Sequence, residues 1–224
     1  MCEKPLATNV DDARAMLRAV KAAGVKHAYG TTSRYAPAVV YTRSLVANGL
    51  IGQIREIESL LHFTLSPLLT YHWVHQLNQG GGLLNNIFTH KLGQVLQITD
   101  AQVLAAAGEA RRLIERAPVG PTLHDCREIF SPNALVNPEQ ALAGEWRAVD
   151  VDLGYTVLVH LQMPDDYKAS ALFQSAGMPN PHPDYLAFYG DKGTLYLTGP
   201  THPTVSSTSI RNAKHGRICP YPGK

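Results

Sequence analysis

Residues 80–90 read Gly80-Gly81-Gly82-Leu83-Leu84-Asn85-Asn86-Ile87-Phe88-Thr89-His90, and the segment after the triple glycine decides how the chain is built. The spacing predicts a helix over 83–98. On it Asn86, His90, Gln94 and Gln97 fall at i, i+4, i+8 and i+11 on one face, while Leu84, Ile87, Phe88, Val95 and Leu96 cover most of the opposite surface. The polar face has no acidic residue and only Lys91 near its edge. A solvated helix face normally carries Lys, Glu and Arg, so a neutral row of Asn, His and Gln suits a helix lining a cleft. There His90 would serve as a general base, since an imidazole of ordinary pKa ~6.5 exchanges protons near neutrality. Pattern alone favours the plainer alternative, a partly buried helix whose polar groups satisfy each other.

Upstream, a first helix is well punctuated. Thr8 or Asn9 can cap it, Asp11 and Asp12 occupy its first turn, Ala13, Met16, Leu17 and Val20 form an apolar stripe, and Gly24 ends it. Val25–Thr32 reads as a short strand. A second helix starts near Pro37 and stops at Asn48-Gly49. From Gln53 to Leu65 alternation takes over, with Arg55, Ile57, Ser59, Leu61, Phe63 and Leu65 on one face of a long strand. Downstream, Tyr155–Met163, Lys168–Ser175, Tyr185–Tyr189 and Thr194–Leu197 are strand-like, and Gly190-Asp191-Lys192-Gly193 makes a hairpin turn. The stretch 116–145, with four prolines, reads as a long loop, and the tail after Gly199 as poorly ordered. Helix-rich first and strand-rich second predicts an α+β fold with a mostly antiparallel or mixed sheet.

Composition excludes several classes of function. The 224 residues are 45% hydrophobic and 17% charged, which permits a sizeable core. Twenty basic residues against eighteen acidic ones, with no block of either sign, argue against nucleic acid as a partner. No apolar run approaches the ~18 residues of a membrane span, and the N-terminus lacks a basic and apolar leader. Cys2, Cys126 and Cys219 are odd in number and far apart, which fits a reducing, cytoplasmic setting and neither a disulfide framework nor a zinc site.

Two other histidine-bearing stretches carry less. Tyr71-His72-Trp73-Val74-His75 pairs two histidines at i, i+3 with no carboxylate or cysteine at ligand spacing, so no metal site is expected. His124-Asp125-Cys126 has the residue types of a nucleophilic site, but neighbours in an extended stretch point apart. No Gly-x-Gly-x-x-Gly is placed after a strand.

Five motifs in order give a family resemblance. Glu3-Lys4-Pro5 precedes a helix and a strand ending in Ser33-Arg34-Tyr35-Ala36-Pro37. Then come Asn48-Gly49-Leu50-Ile51-Gly52-Gln53-Ile54, then Trp73 with Gly80-Gly81-Gly82, Asn86 and His90, then the hairpin from Gly190 to Leu197. Together they resemble the glucose–fructose oxidoreductase/inositol dehydrogenase/MocA family over roughly residues 2–200. The resemblance implies NAD or NADP as cofactor and hydride exchange with a hydroxyl-bearing carbon of a sugar or polyol. It implies Lys4 donating to the reacting oxygen, His90 taking the hydroxyl proton and Asn86 assisting, with Glu3, Lys4, Pro5 and Arg34 near the cofactor.

The chain departs from the family pattern at several points. Asn86 stands where many members carry Asp, Phe88 and Gly93 replace a Gly and an Asp of the motif, and Val74 replaces an Arg. By resemblance, residues 1–35 are the C-terminal remnant of a Rossmann domain, with the phosphate-binding turn missing. Residues 36–200 are then an α+β substrate and oligomerisation domain with helices on one face of an open sheet, and 201–224 a tail. A homo-oligomer through the open sheet face is implied. The rival expectation is a non-catalytic carbohydrate-binding or oligomerisation module.

Overall fold

The computed structural model of the chain describes residues 1–124, 128, 129, 131–177 and 184–198, together with the backbone of 208–211 and 218–220. Four α-helices are described: α1 Val10–Ala22, α2 Pro37–Ala47, α3 Thr89–Thr99 and α4 Pro138–Ala143. The ten strands are β1 Ile54–Phe63, β2 Gln102–Arg111, β3 Arg116–Pro118, β4 Trp146–Ala148, β5 Gly154–Gln162, β6 Lys168–Gly177, β7 Tyr185–Gly190, β8 Thr194–Thr198, β9 Thr208–Arg211 and β10 Ile218–Pro220. Eight form one sheet in the order β10-β9-β8-β7-β1-β6-β5-β2, and β3 pairs with β4 in a separate ribbon. Only β1 and β6 run parallel; every other neighbour is antiparallel. The α+β class and the mixed sheet expected from the sequence are what the chain adopts.

The sheet is two-faced. Tyr155, Val157, Val159 and Leu161 on β5 and Ala169, Ala171 and Phe173 on β6 are buried, and α3 lays Val95 and Ile98 into the same cluster. Phe88 seals the layer, edge-on to Tyr155 (5.8 Å between ring centroids) and Phe173 (5.2 Å). The opposite face carries Glu56, Glu58, Leu158, Ser170, Leu172 and Tyr189 around a shallow cavity of about 450 Å³. Helices therefore cover one side alone.

Several elements differ from the pattern reading. In β1 the register with β7 shifts between Ile54 and Glu56. Ile54 and Ile57 both point inward, at 1% and 2% exposure, and Arg55 is turned out over the Tyr167 ring. A bulge moves a residue to the other face, which strict alternation cannot anticipate. Leu65 lies beyond the strand. The strand expected at Val25–Thr32 shrinks to a single parallel bridge, Cys2 with Tyr29, because no further strand lies beside it. Residues 116–145 are not one loop, since they hold β3 and α4. Strand β2 has no pattern signal because, as an edge strand, it is exposed on both faces. The expected poorly ordered tail lies largely outside the described residues, although the backbone of β9 and β10 extends the sheet beyond β8.

Candidate functional site

The triple glycine is a device of close approach. Gly80 and Gly82 have φ of +79° and +89°, the left-handed region that side chains avoid. A Cβ on Gly81 would lie 2.5 Å from the Val74 carbonyl oxygen and 2.7 Å from that of Trp73. The loop 73–79 thus folds directly onto the turn, and Gly81 N and Gly82 N donate to Gln76 O and Val74 O. The helix begins as a π turn, Leu84–Phe88, before continuing as α3. Its first free N–H groups are met from far along the chain, as Leu83 N and Leu84 N donate to the Asp152 carboxylate at 3.0 and 2.9 Å.

Asn86 is buried and fully engaged. Its Nδ2 donates to Gly80 O (3.1 Å) and Gly82 O (2.8 Å), and its Oδ1 accepts from Lys4 Nζ (3.0 Å). One turn on, His90 Nδ1 lies 3.0 Å from Ser33 Oγ. Further along the same face, Gln97 Oε1 accepts from the Arg34 guanidinium (3.3 Å), whose stem passes over Gly93. Asn86, His90 and Gln97 of the neutral row are met from the N-terminal segment and not by one another. Lys4, Ser33 and Arg34 each reach across to it.

Of the residues singled out in the sequence, Lys4, Asn86 and His90 come together. Pro5 packs its ring against Gly80, and the exposed Glu3 lays its carboxylate over Gly30, away from this group. Arg34 is spent on α3: it holds Gln97, and its buried Nε takes no hydrogen bond among the described residues. Asp152 carries no mark in the sequence, and Ser33 stands only as the first residue of the Ser33-Arg34-Tyr35-Ala36-Pro37 motif, with no role of its own. Neither sits at a spacing that singles it out, since each acts only through a long-range contact.

The electrostatics are one-sided. Burial first, then the ammonium groups of Lys4 and Lys91, lower the His90 pKa from 6.5 to about 4. Lys91 is itself pushed down by burial, against the pull of Asp184. His90 is accordingly a neutral imidazole at physiological pH.

The pair His72 and His75 is a different object. Their rings meet edge-on at 4.8 Å. His75 Nδ1 accepts from His72 N, and His72 Nδ1 from Val74 N. An Nδ1 that accepts leaves the proton on Nε2, and both Nε2 atoms are buried without a partner among the described residues. Such nitrogens have no lone pair for a metal. Of the stretch at 124–126, Asp125 and Cys126 lie outside the described residues.

A mixed sheet with helices on one face and a lysine, an amide and an imidazole gathered at the entrance to its main helix defines an α+β sheet domain with a polar cluster at one end of that helix. The chain belongs to the GFO/IDH/MocA family, whose C-terminal domain model matches residues 39–196. Levoglucosan dehydrogenase of Pseudarthrobacter phenanthrenivorans is 32% identical over 93 residues, 40% of this chain and 24% of that protein. Among solved structures, an NAD binding oxidoreductase from Klebsiella pneumoniae superposes with a TM-score of 0.74 at 20% identity, covering 98% of this chain and 53% of the other. Levoglucosan dehydrogenase in complex with NADH and levoglucosan gives 0.73 at 18%, again over 98% and 53%. The chain thus spans about half the length of the solved relatives it matches. Among the described residues, no helix is long and apolar enough to cross a membrane.

Proposed function

We propose that the chain is the substrate-side part of an NAD(P)-dependent oxidoreductase that exchanges a hydride with a hydroxyl-bearing carbon of a sugar or polyol. The observation that carries the reading is the convergence of Lys4, held by Asn86 at 3.0 Å, with a neutral His90 one helical turn away. The chemistry of that donor set suits an alcohol: an ammonium to stabilise charge on oxygen and an imidazole to take its proton. The named activity of levoglucosan dehydrogenase supports a sugar as substrate.

By resemblance, residues of this chain would meet one end of a nicotinamide dinucleotide. Glu3, Lys4 and Pro5 would flank the nicotinamide, and no Gly-x-Gly-x-x-Gly for the diphosphate occurs in the 224 residues. A bound nicotinamide would supply the acceptor for the hydride released as the carbinol carbon becomes a carbonyl. Lys4 Nζ donates to the reacting oxygen, Asn86 positions Lys4, and His90 accepts the hydroxyl proton. Because burial first, and then the Lys4 and Lys91 ammonium groups, disfavour the imidazolium, protonated His90 gives that proton up to water readily. We read the open sheet face, with Leu158 and Leu172 exposed at its centre, as the surface where a second copy docks, and the protein as cytoplasmic from its cysteine usage.

The test is to titrate the folded chain with levoglucosan and related polyols, tracking His90 and Asn86 resonances, and with NADH and NADPH, tracking nicotinamide fluorescence. A sugar that shifts both residues, with the response lost in Lys4→Met, is the expected result. A folded chain whose His90 and Asn86 ignore every sugar, and which leaves both dinucleotides unchanged, would overturn the reading in favour of a non-catalytic module.

A further inference from the structure

A neutral imidazole carries one proton, and a base is useful only if the nitrogen facing its substrate is the bare one. The contact between Ser33 Oγ and His90 Nδ1 at 3.0 Å allows either arrangement, because a hydroxyl both donates and accepts. The surroundings break the tie. Ser33 sits in a single 3-10 turn, Thr32–Tyr35, whose next residue, Arg34, is fixed to Gln97 and lies over Gly93. Ser33 thus belongs to the turn whose Arg34 engages α3 beyond His90, at Gly93 and Gln97. Lys4 is held at Asn86, one turn toward the N-terminus.

The imidazole meets the Ser33 hydroxyl at Nδ1 and lies in the field of two ammonium groups, Lys4, held one turn away at Asn86, and Lys91, its chain neighbour, on which Asp184 acts. A ring N–H is repelled by nearby ammonium groups, whereas a lone pair is favoured there. Of the groups around the ring, the Ser33 oxygen is the neutral acceptor in reach of Nδ1.

We propose that Ser33 is a positioning residue that fixes the tautomer of His90, with Nδ1–H donating to Ser33 Oγ and Nε2 left bare toward the substrate hydroxyl. This rests on reading His90 as the proton acceptor. When the substrate O–H breaks, its proton forms the Nε2–H bond. The ring becomes an imidazolium, and the Nδ1–H to Ser33 bond becomes charge-assisted. His90 is neither oxidised nor reduced: its Nε2 lone pair forms the new N–H bond, the O–H pair goes into the carbonyl as the hydride leaves the carbon, and the proton later leaves by the same nitrogen. Without Ser33 the ring is free to adopt the Nε2–H form, which has nothing to offer a hydroxyl proton.

The experiment needs no turnover, so its failure is separable from failure of the oxidoreductase reading. The ring nitrogens of His90 are observed by long-range ¹⁵N–¹H correlation in the full chain near neutral pH, with His90→Gln assigning the signals. In the parent chain Nδ1 is expected to be protonated and Nε2 bare. Ser33→Ala should interchange the two nitrogen signals partly or wholly, and Ser33→Thr, which keeps the hydroxyl, should restore the parent pattern. A parent chain with the proton on Nε2 overturns the proposal even if Ser33→Ala does not fold. So does a folded Ser33→Ala chain whose His90 is unchanged.

Discussion

Helices α1 and α3 invert the usual relation between local signals and contribution to the fold. Helix α1 has the better ends: Asn9 accepts from Asp12 N at 2.9 Å, Asp11 and Asp12 fill the first turn, Lys21 the last, and Gly24 at φ +62° closes it. It nevertheless has no buried residue, and Val10, Met16 and Leu17 are 59%, 38% and 44% exposed. Helix α3 starts without a side-chain cap, grows out of a π turn and ends at Asp100, a non-glycine residue at φ +54°. It buries Val95, Ile98 and Thr99 and carries the polar face that Lys4, Ser33 and Arg34 reach. Helices shorter than ~12–15 residues are marginal in water whatever their caps, and packing decides which of them matters to the whole.

The largest expected effect tests that difference directly. Ile98→Ala removes a side chain that is 2% exposed in the main core, and should lower global stability by about 2–5 kcal/mol. Leu17→Ala on the apolar stripe of α1 should change it by no more than about 0.5 kcal/mol. Urea denaturation of the two variants beside the parent decides the matter. Equal losses would mean that the stripe of α1 is covered in solution and that the contrast between the helices is false.

The same contrast explains how much could be read from the chain alone. Helices α1 and α2 and strands β5 to β8 were legible because caps, prolines and alternation are local. Strand β2, exposed on both faces, has no such pattern, and the bulge at Arg55 breaks the one β1 has. At the site, the polar face of α3 was legible as Asn86, His90 and Gln97, and the family resemblance supplied Lys4. The pattern did not specify which residues answer that face. Ser33 and Asp152 act across 57 and about 69 residues of chain, and no periodicity encodes such a pairing. Glu3 and Arg34 illustrate the converse, residues whose motif was visible but whose side chains lie over Gly30 and against Gln97.

Acid should sharpen the comparison next. The pair His72 and His75 lies in the loop that folds onto the glycine turn, and burial lowers both pKa values from 6.5 to about 4. Between those values the unfolded chain binds protons that the folded chain refuses. Stability therefore falls as pH drops from about 6.5, and the loss levels off below about 4. Each imidazole can account for ~3 kcal/mol over that window. Urea midpoints measured at falling pH should decline more steeply in the parent than in His75→Gln, which lacks one of the buried rings that titrate in this window. Parallel curves would remove His75 as an acid-labile group. Since α1 buries no residue, its own helicity should track the global transition only if it folds with the sheet.

The smallest effect bears on that last condition. Asn9→Ala deletes the cap of α1, where Oδ1 accepts from Asp12 N and Nδ2 donates to Asp12 Oδ2 at 2.7 Å. The loss should be about 1 kcal/mol, felt by the helix alone. Amide exchange in Val10–Ala22 should then speed up about fivefold while the global urea midpoint stays fixed, as expected of a segment that opens by itself. A midpoint that moves by the full amount would show α1 to be cooperative with the sheet through Lys4, Ser33 and Arg34. In that case the three polar contacts would carry folding energy between the two parts as well as positioning His90, and loosening the N-terminal segment would release the Nδ1 side of its ring.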